Sequence, residues 1–175
     1  MSKIIAIVLA LSGAGYYYFV LGSQVSERDA QNYFTAYYDK LDAGDDKALC
    51  DMYADSYVER GIVVRTAGMG GTAPAEANKE AACAFLRGLI EGMKKQSEKL
   101  GMPVVTNTQT VIEDVAISPN KKSAVVTGKF ELKIGTEQRL FMKQNTQAKI
   151  TLIKQGGKVL ATNSDYTSTQ IQYRE

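Results

Sequence analysis

The stretch AQNYFTAYYDKLDAGD (residues 30–45), continued by LCDMYADSYV (residues 49–58), decides the fold of this chain. In its first part the apolar residues recur every three or four positions, which is the spacing of one face of an α-helix. These residues are Ala30, Tyr33, Phe34, Tyr37, Tyr38 and Leu41. Ser26 can cap the start of this helix, and Gly44 can end it. The stretch therefore predicts an amphipathic helix from just after Ser26.

A second, short helix is predicted from Asp45 or Asp46. The apolar residues that it would bury are Leu49, Met52 and Tyr53. Tyr57 to Arg65 then has the composition of a strand, and the glycine-rich segment AGMGGT (residues 67–72) is predicted as a loop.

A third helix is predicted with Pro74 in its first turn, a position where proline costs little. Its apolar side would consist of Ala82, Phe85, Leu86, Leu89, Ile90 and Met93. Gly101 and Pro103 are expected to terminate it.

From Val104 onward the apolar period changes to two, which predicts four long strands. In the first, Val104 to Ile117, the more apolar face is expected to hold Val111, Val115 and Ile117. The buried sides of the next two would hold Ala124, Val126, Phe130, Leu132 and Ile134, then Leu140, Met142, Ala148, Ile150 and Leu152. The segment SPNKK (residues 118–122) and the pair Gly156-Gly157 are predicted turns, and the last strand is Lys158 to Tyr173.

Helices first and meandering strands later predict an α+β fold. We expect three helices packed on one face of a curved, mainly antiparallel sheet. This element order and the two-helix start resemble the NTF2-like superfamily, over about Ser26 to Tyr173. The resemblance implies a cone-shaped domain, but it implies no particular function.

A charge-free segment precedes this domain. Ile4 to Gly22 is long enough to cross a bilayer as a helix, with Lys3 before it. The positive end is expected to stay in the cytoplasm. The sequence therefore predicts a cytoplasmic tip (residues 1–3), a transmembrane anchor (4–22), a linker (23–26) and an exported, periplasmic or extracytoplasmic domain (27–175). A cleaved signal peptide is the alternative, and both readings predict export.

Small residues recur every fourth position in the predicted anchor, at Ala6, Ala10 and Ala14. Such spacing allows two membrane helices to approach closely, although small residues are also common in membrane segments generally. The layout of an anchor followed by one domain is similar to that of the VirB8-like periplasmic assembly proteins.

The two cysteines, Cys50 and Cys83, fall on the second and third predicted helices. Export would place them in an oxidising compartment, where a disulfide is favoured. The alternative is two buried thiols that act as small apolar residues.

Catalytic chemistry has few candidates in this composition. The chain contains no histidine, so the commonest metal ligand and neutral-pH base is missing, and we expect neither a metal site nor a cofactor. Asp114 and Asp165 are the candidate bases, since the NTF2-like resemblance implies that an enzyme would place acid and base groups inside the cone. Asp114 alternates with the polar side of its strand, which favours solvent. The glycines of residues 68–71 lack the lysine of a phosphate-binding loop.

Charge is distributed unevenly along the chain. Residues 27–59 contain nine acids against three bases, whereas residues 121–158 contain nine bases against two acids. Alternation places Lys129, Lys133, Lys143 and Lys149 on the outward side of neighbouring strands. Such a face suits anionic lipid headgroups or an acidic partner. The alternative is that these lysines are ordinary solvent-exposed side chains of the strands. Few aromatic residues interleave with these lysines, which argues against nucleic acid as a partner.

Together these features predict a membrane-anchored, non-catalytic interaction or scaffold domain of the cell envelope, with a protein partner or self-association. Two alternatives remain open. One is binding of a small apolar or lipid-like ligand in the cone. The other is an enzyme similar to the SnoaL-like cyclases or steroid isomerases. A cone filled by side chains would argue against both alternatives.

Overall fold

A computed structural model describes residues 23–66 and 71–173. Its helices are α1 (Glu27–Asp42), α2 (Asp46–Cys50) and α3 (Lys79–Leu100). Its strands are β1 (Tyr53–Arg65), β2 (Gly71–Asn78), β3 (Val105–Ile117), β4 (Ser123–Gly135), β5 (Leu140–Gln155) and β6 (Lys158–Gln172). The predicted anchor, with Ala6, Ala10 and Ala14, lies outside the described residues. Among the helices in the two described ranges, none is both long enough and apolar enough to span a membrane.

Helix α1 begins with a capping box at Ser26. The Ser26 hydroxyl accepts a hydrogen bond from the Asp29 N–H at 3.1 Å, and the Asp29 carboxylate accepts one from the Ser26 N–H at 3.0 Å. These bonds satisfy two backbone donors that the first turn would otherwise leave unpaired. The predicted apolar face is confirmed, with Ala30, Tyr33, Phe34 and Leu41 buried.

Helix α2 is shorter than predicted, because it ends at Cys50. The prediction that Met52 and Tyr53 lie on this helix is wrong. Both side chains are buried, but Met52 lies in the connection and Tyr53 opens β1.

The segment around Pro74 is a strand and not the start of a helix. Pro74 lies in β2, opposite Ile62 of β1. Its missing N–H is tolerated there because β2 is the edge of the sheet and pairs on one side only. Gly71 and Thr72, predicted as loop, also belong to β2, and residues 67–70 lie outside the description. Helix α3 therefore starts later, after Asn78, whose side chain accepts from the Ala81 N–H at 3.0 Å.

Helix α3 buries Ala82, Leu86 and Ile90, and it is capped at its C-terminal end by Gly101, which has a φ of 65°. The predicted ending is confirmed. The placement of Phe85 on the buried side is wrong, because this side chain is 68% exposed.

The six strands form one sheet in the order β2-β1-β6-β5-β4-β3. All neighbours are antiparallel except β1 and β6, which run parallel. Gly156 and Gly157 have φ values of 57° and 78°, which confirms the predicted turn between β5 and β6. We call the side that packs on the helices the inner face and the opposite side the outer face.

A row that crosses the middle of the sheet combines one tyrosine with three small residues. Gly61, Tyr166, Ala148 and Gly128 lie opposite one another on four adjacent strands. A Cβ at Gly61 would be 2.7 Å from the Tyr166 ring, so the missing side chain is what makes room for that ring. Gly61 therefore lets the Tyr166 ring lie close to the backbone of β1.

A bulge interrupts β3. The pairing shifts between Ile112 and Asp114, which reverses the alternation of the side chains after Glu113. The prediction that Val111 shares a face with Val115 is therefore wrong. Val111 is 52% exposed, and it is Ile112 that packs against the core with Val115.

Candidate functional site

A cluster of tyrosines fills the space between α1 and the inner face. Tyr33 and Tyr37 come from α1, whereas Tyr53 and Tyr57 come from β1. The rings of Tyr53 and Tyr57 stack with 4.2 Å between their centroids, and those of Tyr33 and Tyr37 stack at 6.5 Å. Tyr33, Tyr53 and Tyr57 are only 5%, 8% and 4% exposed. Aromatic rings thus occupy the interior of the cone.

The hydroxyl groups of this cluster are held inside the protein. The Tyr33 hydroxyl donates to the Met52 carbonyl at 3.4 Å, and the Tyr37 and Tyr53 hydroxyls lie 3.4 Å apart. Burial raises the pKa of Tyr37 to about 12 and that of Tyr53 well above its ordinary value. These phenols therefore stay protonated near neutral pH and act as hydrogen-bond donors.

The Glu59 carboxylate, on the inner side of β1, borders the tyrosine cluster. The Tyr57 hydroxyl donates a hydrogen bond to Glu59 Oε2 at 2.9 Å. Burial raises the pKa of Glu59, and the bond from Tyr57 offsets part of this effect. The pKa of the Tyr166 phenol is also raised, first by burial and then by the negative charge of Glu59. A carboxyl and a phenol in direct contact form a pair that can exchange a proton.

Sequence reasoning missed Glu59, although a signal was present. Glu59 lies two residues after Tyr57, so the period of a strand places both side chains on one face. The two candidate bases that were identified lie elsewhere. Asp114 is exposed, as expected. Asp165 is exposed on the outer face and accepts a hydrogen bond from the Asn163 amide at 2.8 Å.

Two depressions lie outside the tyrosine cluster. The first, of about 510 Å³, is a shallow basin on the outer face, lined by Arg60, Gly61, Ile62, Thr127, Gln147, Ala148, Lys149, Asp165, Tyr166 and Thr167. The second, of about 330 Å³, lies where α1, α3 and β3 meet, beside Leu41, Ile90 and Val105. Neither is lined by Glu59 or Tyr57.

The four lysines singled out in the sequence lie on the outer face. Lys129 forms an ion pair with Glu113 at 2.6 Å. Lys133 and Lys143 both pair with Glu131 at 2.6 Å. Lys149 lies opposite Thr127 and Asp165 in the pairing of the strands. Hydrogen bonds from Lys133 and Lys143 lower the pKa of Glu131, so this acid remains charged and offsets part of the lysine charge.

Cys50 and Cys83 are joined as a disulfide, with 5.5 Å between their Cα atoms. The bond connects the end of α2 to the first half of α3. An ion pair between Arg87 and Asp46, at 3.2 Å, joins the same two helices.

No family model matches this chain, and no curated protein matches it either. Solved structures do match. The chain resembles Aln2 from a Streptomyces species, with a TM-score of 0.59 and 9% identity over 82% of this chain and 93% of that one. It also resembles a candidate scytalone dehydratase from Novosphingobium aromaticivorans, with a TM-score of 0.53 and 14% identity over 85% and 87% of the two chains. A third match is a candidate calcium/calmodulin-dependent protein kinase II association domain from Xanthomonas campestris, with a TM-score of 0.50 and 15% identity over 82% and 87%.

At such low identities the likeness concerns the fold alone. The narrower likeness to VirB8-like domains gains no support from these matches and stays a prediction. The matches agree with the α+β topology described above, three helices on the inner face of a six-stranded sheet. This chain has the NTF2-like fold.

Proposed function

We propose that this domain is a non-catalytic interaction domain, held at the membrane by residues 4–22, that contributes its surface to a complex of the cell envelope. The observation that carries the proposal is the filled cone. The stacked rings of Tyr53 and Tyr57, with Tyr33 beside them, occupy the volume in which an NTF2-like enzyme or carrier would hold a small molecule. A chain whose interior is filled in this way is better suited to binding a partner at its surface than to holding a small molecule.

The outer face has the composition of a protein-binding surface. Ile62, Val111 and Val125 are 46%, 52% and 36% exposed on it. Ion pairs of both charge signs lie on the same face, a combination found at protein interfaces with a polar rim. Because Glu113 and Glu131 offset much of the lysine charge, an anionic lipid surface is a poorer fit than a protein of mixed charge.

Extraction of the full chain from membranes in mild detergent tests this proposal. We expect native mass spectrometry to give the mass of the chain without a retained small molecule. We expect a protein partner to co-purify, and Val111→Asp to release it, because a new charge would be buried at the interface. Thr35→Asp is the matched control, since it adds the same charge at an exposed position on α1.

Two results would overturn the proposal. One is an apolar ligand that stays bound through extraction. The other is a partner that Val111→Asp and Thr35→Asp release equally, since this would show no role for the outer face.

The contact between Glu59 and Tyr57 favours a second candidate function, proton transfer to a small substrate. A carboxylate with a raised pKa beside neutral phenols is suited to act as a general base. This function requires the tyrosine rings to move and admit a substrate.

NMR titration of the Glu59 carboxyl carbon tests the second candidate. Small phenols and other aromatic compounds, added at millimolar concentration to the full chain, are expected to shift the Glu59 titration midpoint if the interior opens. An unchanged titration in the presence of every compound would reject an accessible acid–base site.

A further inference from the structure

Strand β3 forms one of the two edges of the sheet. In the described part of the chain it pairs with β4 on one side and with no strand on the other. An edge strand directs every second pair of backbone N–H and C=O groups outward, where another extended chain can bind them. Proteins usually block such an edge with proline, with charged side chains or with a bulge.

The first part of β3, residues 105–112, lacks these blocking features. Its sequence, VTNTQTVI, contains no proline and no charge, and most of its residues are β-branched. The bulge, with Glu113 and Asp114, comes only after it. The opposite edge is different, because β2 contains Pro74 and the charged Glu76. Of the two edges of the described sheet, β3 is therefore the one suited to accept another strand.

Residues 105–111 read almost the same in both directions. The sequence is VTNTQTV, and its reverse differs only by the exchange of Asn107 and Gln109. If two copies of this segment pair antiparallel about Thr108, residues at equal distances from Thr108 lie opposite each other. Valine then lies opposite valine, threonine opposite threonine, and asparagine opposite glutamine. This symmetry indicates a second copy of the chain as the added strand, because pairing with a different sequence would not make use of it.

The outer side of this segment ends in an exposed valine on each side. Val105 and Val111 are 50% and 52% exposed, and the exposed residues Asn107 and Gln109 lie between them. In the paired copies, Val105 of each lies beside Val111 of the other, which removes apolar surface from water at both ends. The amide groups of Asn107 and Gln109 lie opposite each other and can form hydrogen bonds. A register shifted by two residues would instead place Val111 opposite Asn107.

The β3 edge is held in place within one copy of the chain. β3 pairs with β4 along its whole length, from Val105 to Ile117. On its inner side, the Thr106 hydroxyl donates a hydrogen bond to the Asp42 carboxylate of α1. The edge therefore needs little ordering when a second copy binds, which lowers the entropic cost of association.

We propose that two copies of this chain pair antiparallel through residues 105–111 of β3, with the twofold axis at Thr108, so that their two sheets join into one. The joined sheet ends at β2 on both sides. Pro74 and Glu76 disfavour a further strand there, so the association closes as a dimer instead of growing into a fibre. The pairing goes beyond the proposed function and is compatible with either candidate function, since it uses the edge of the sheet.

Sedimentation equilibrium of the full chain in mild detergent at low salt tests the proposal with two double variants. In the dimer, position 107 of each copy lies opposite position 109 of the other, so every pair of charges placed there occurs twice. Asn107→Glu with Gln109→Glu places like charges opposite each other, and we expect it to raise the dissociation constant at least tenfold. Asn107→Glu with Gln109→Lys places opposite charges there and should leave the dissociation constant unchanged or lower it.

Three controls accompany this comparison. Asn107 and Gln109 are exposed, so circular dichroism should show that both double variants are folded. Salt at about 1 M screens charges and should bring the dissociation constants of the two variants closer together. Val125→Gln changes the outer face on β4, where Val125 is 36% exposed, and should not alter the dissociation constant.

A chain that is monomeric at all concentrations would overturn the proposal. So would a dimer with the same dissociation constant in both double variants, because such a dimer is held by residues 4–22 or by another surface. A dimer that Val125→Gln weakens and the like charges do not would assign the contact to the outer face instead.

Discussion

The Tyr57 hydroxyl lies 2.9 Å from the Glu59 carboxylate and donates a hydrogen bond to it, within one strand and on one face of the sheet. The bond places a carboxylate beside the aromatic cluster that fills the cone. Burial raises the pKa of this carboxylate even though the phenol stabilises its charged form. Burial thus makes the charge of Glu59 unfavourable, and loss of this charge at acidic pH removes the cost.

Glu59→Gln is expected to stabilise the domain at neutral pH. An acid with a raised pKa in the folded state stabilises that state below its ordinary pKa, and this contribution is lost as the pH rises through the folded-state pKa. At pH 7 the wild-type chain has therefore lost this stabilising contribution. Glutamine at position 59 has no charge to bury and still accepts a hydrogen bond from the Tyr57 hydroxyl. Denaturant unfolding at pH 7 and pH 3 should show an advantage for Gln at pH 7 that disappears at pH 3.

Glu131→Gln is the control, and its expected effect on stability at pH 7 is opposite to that of Glu59→Gln. The pKa of Glu131 is lowered, first by hydrogen bonds from Lys133 and Lys143, so its charged form is favoured in the folded state. This substitution is expected to lower stability at pH 7. If both substitutions changed stability in the same direction, the explanation based on burial of Glu59 would be wrong.

Gly61→Ala is expected to destabilise the domain by about 1–3 kcal/mol, the usual cost of inserting a methyl group into a closely packed site. A Cβ at Gly61 would lie 2.5 Å from the Tyr166 carbonyl oxygen and 2.7 Å from its ring. Chemical denaturation measures the loss. Gly71→Ala, where a Cβ meets no neighbour, should not lower stability. Equal effects at the two glycines would contradict the close packing of Tyr166 on Gly61.

Replacement of both cysteines, Cys50→Ala together with Cys83→Ala, is expected to reduce the free energy of unfolding by about 3–4 kcal/mol. The bond joins two residues with a sequence separation of 33 and restricts the unfolded chain. Its loss raises the conformational entropy of the unfolded chain, which in the loop-entropy account lowers the free energy of unfolding by this amount. Denaturant titration of the wild-type chain with and without a thiol reductant should show a similar difference. No effect of the reductant, with free thiols present from the start, would contradict a bonded pair.

Asp29→Asn is expected to cost about 1 kcal/mol at pH 7, because it weakens the N-terminal cap of α1. The wild-type side chain also pairs with Lys154 at 3.0 Å. Burial opposes the charge of Asp29, but the hydrogen bonds from Ser26 and Lys154 outweigh it and lower the pKa. An acid with a lowered pKa stabilises the fold above its ordinary pKa, and this contribution is lost as the pH falls through the folded-state pKa.

Thermal unfolding over the acidic range checks this dependence on pH. The difference between Asn and wild type should shrink as the pH falls to about 2. Asp39→Asn, at an exposed position of the same helix, should change the melting temperature at pH 7 little. A difference that stays constant from pH 7 to pH 2 would exclude a role for the charge of Asp29.

Local patterns were sufficient to predict α1, the long strands and several turns. The caps of α1 at Ser26 and of α3 at Gly101 depend on residues within one turn of each helix end. The Gly156-Gly157 turn likewise depends on backbone freedom at two neighbouring positions. Such features are visible in a sequence because the groups that interact are close along the chain.

Features that depend on distant partners were predicted less well. The local sequence around Pro74 predicts the start of a helix. This segment instead pairs with β1 and forms an edge strand. The alternation of the sequence predicts that Val111 is buried. The bulge at Glu113 shifts this alternation in β3, so Val111 lies on the outer face. In each case the local propensity was overridden by strand pairing.

The sequence by itself determined the α+β class, the helix that covers the sheet, and the positions of Cys50 and Cys83 on neighbouring helices. These properties follow from periodicity and capping, which act over a few residues. Only the tertiary structure decided that aromatic rings fill the cone, that Glu59 contacts them, and that Phe85 faces outward. Those outcomes depend on how helices and strands far apart in the chain pack together, and side-chain packing in three dimensions has no period in the sequence.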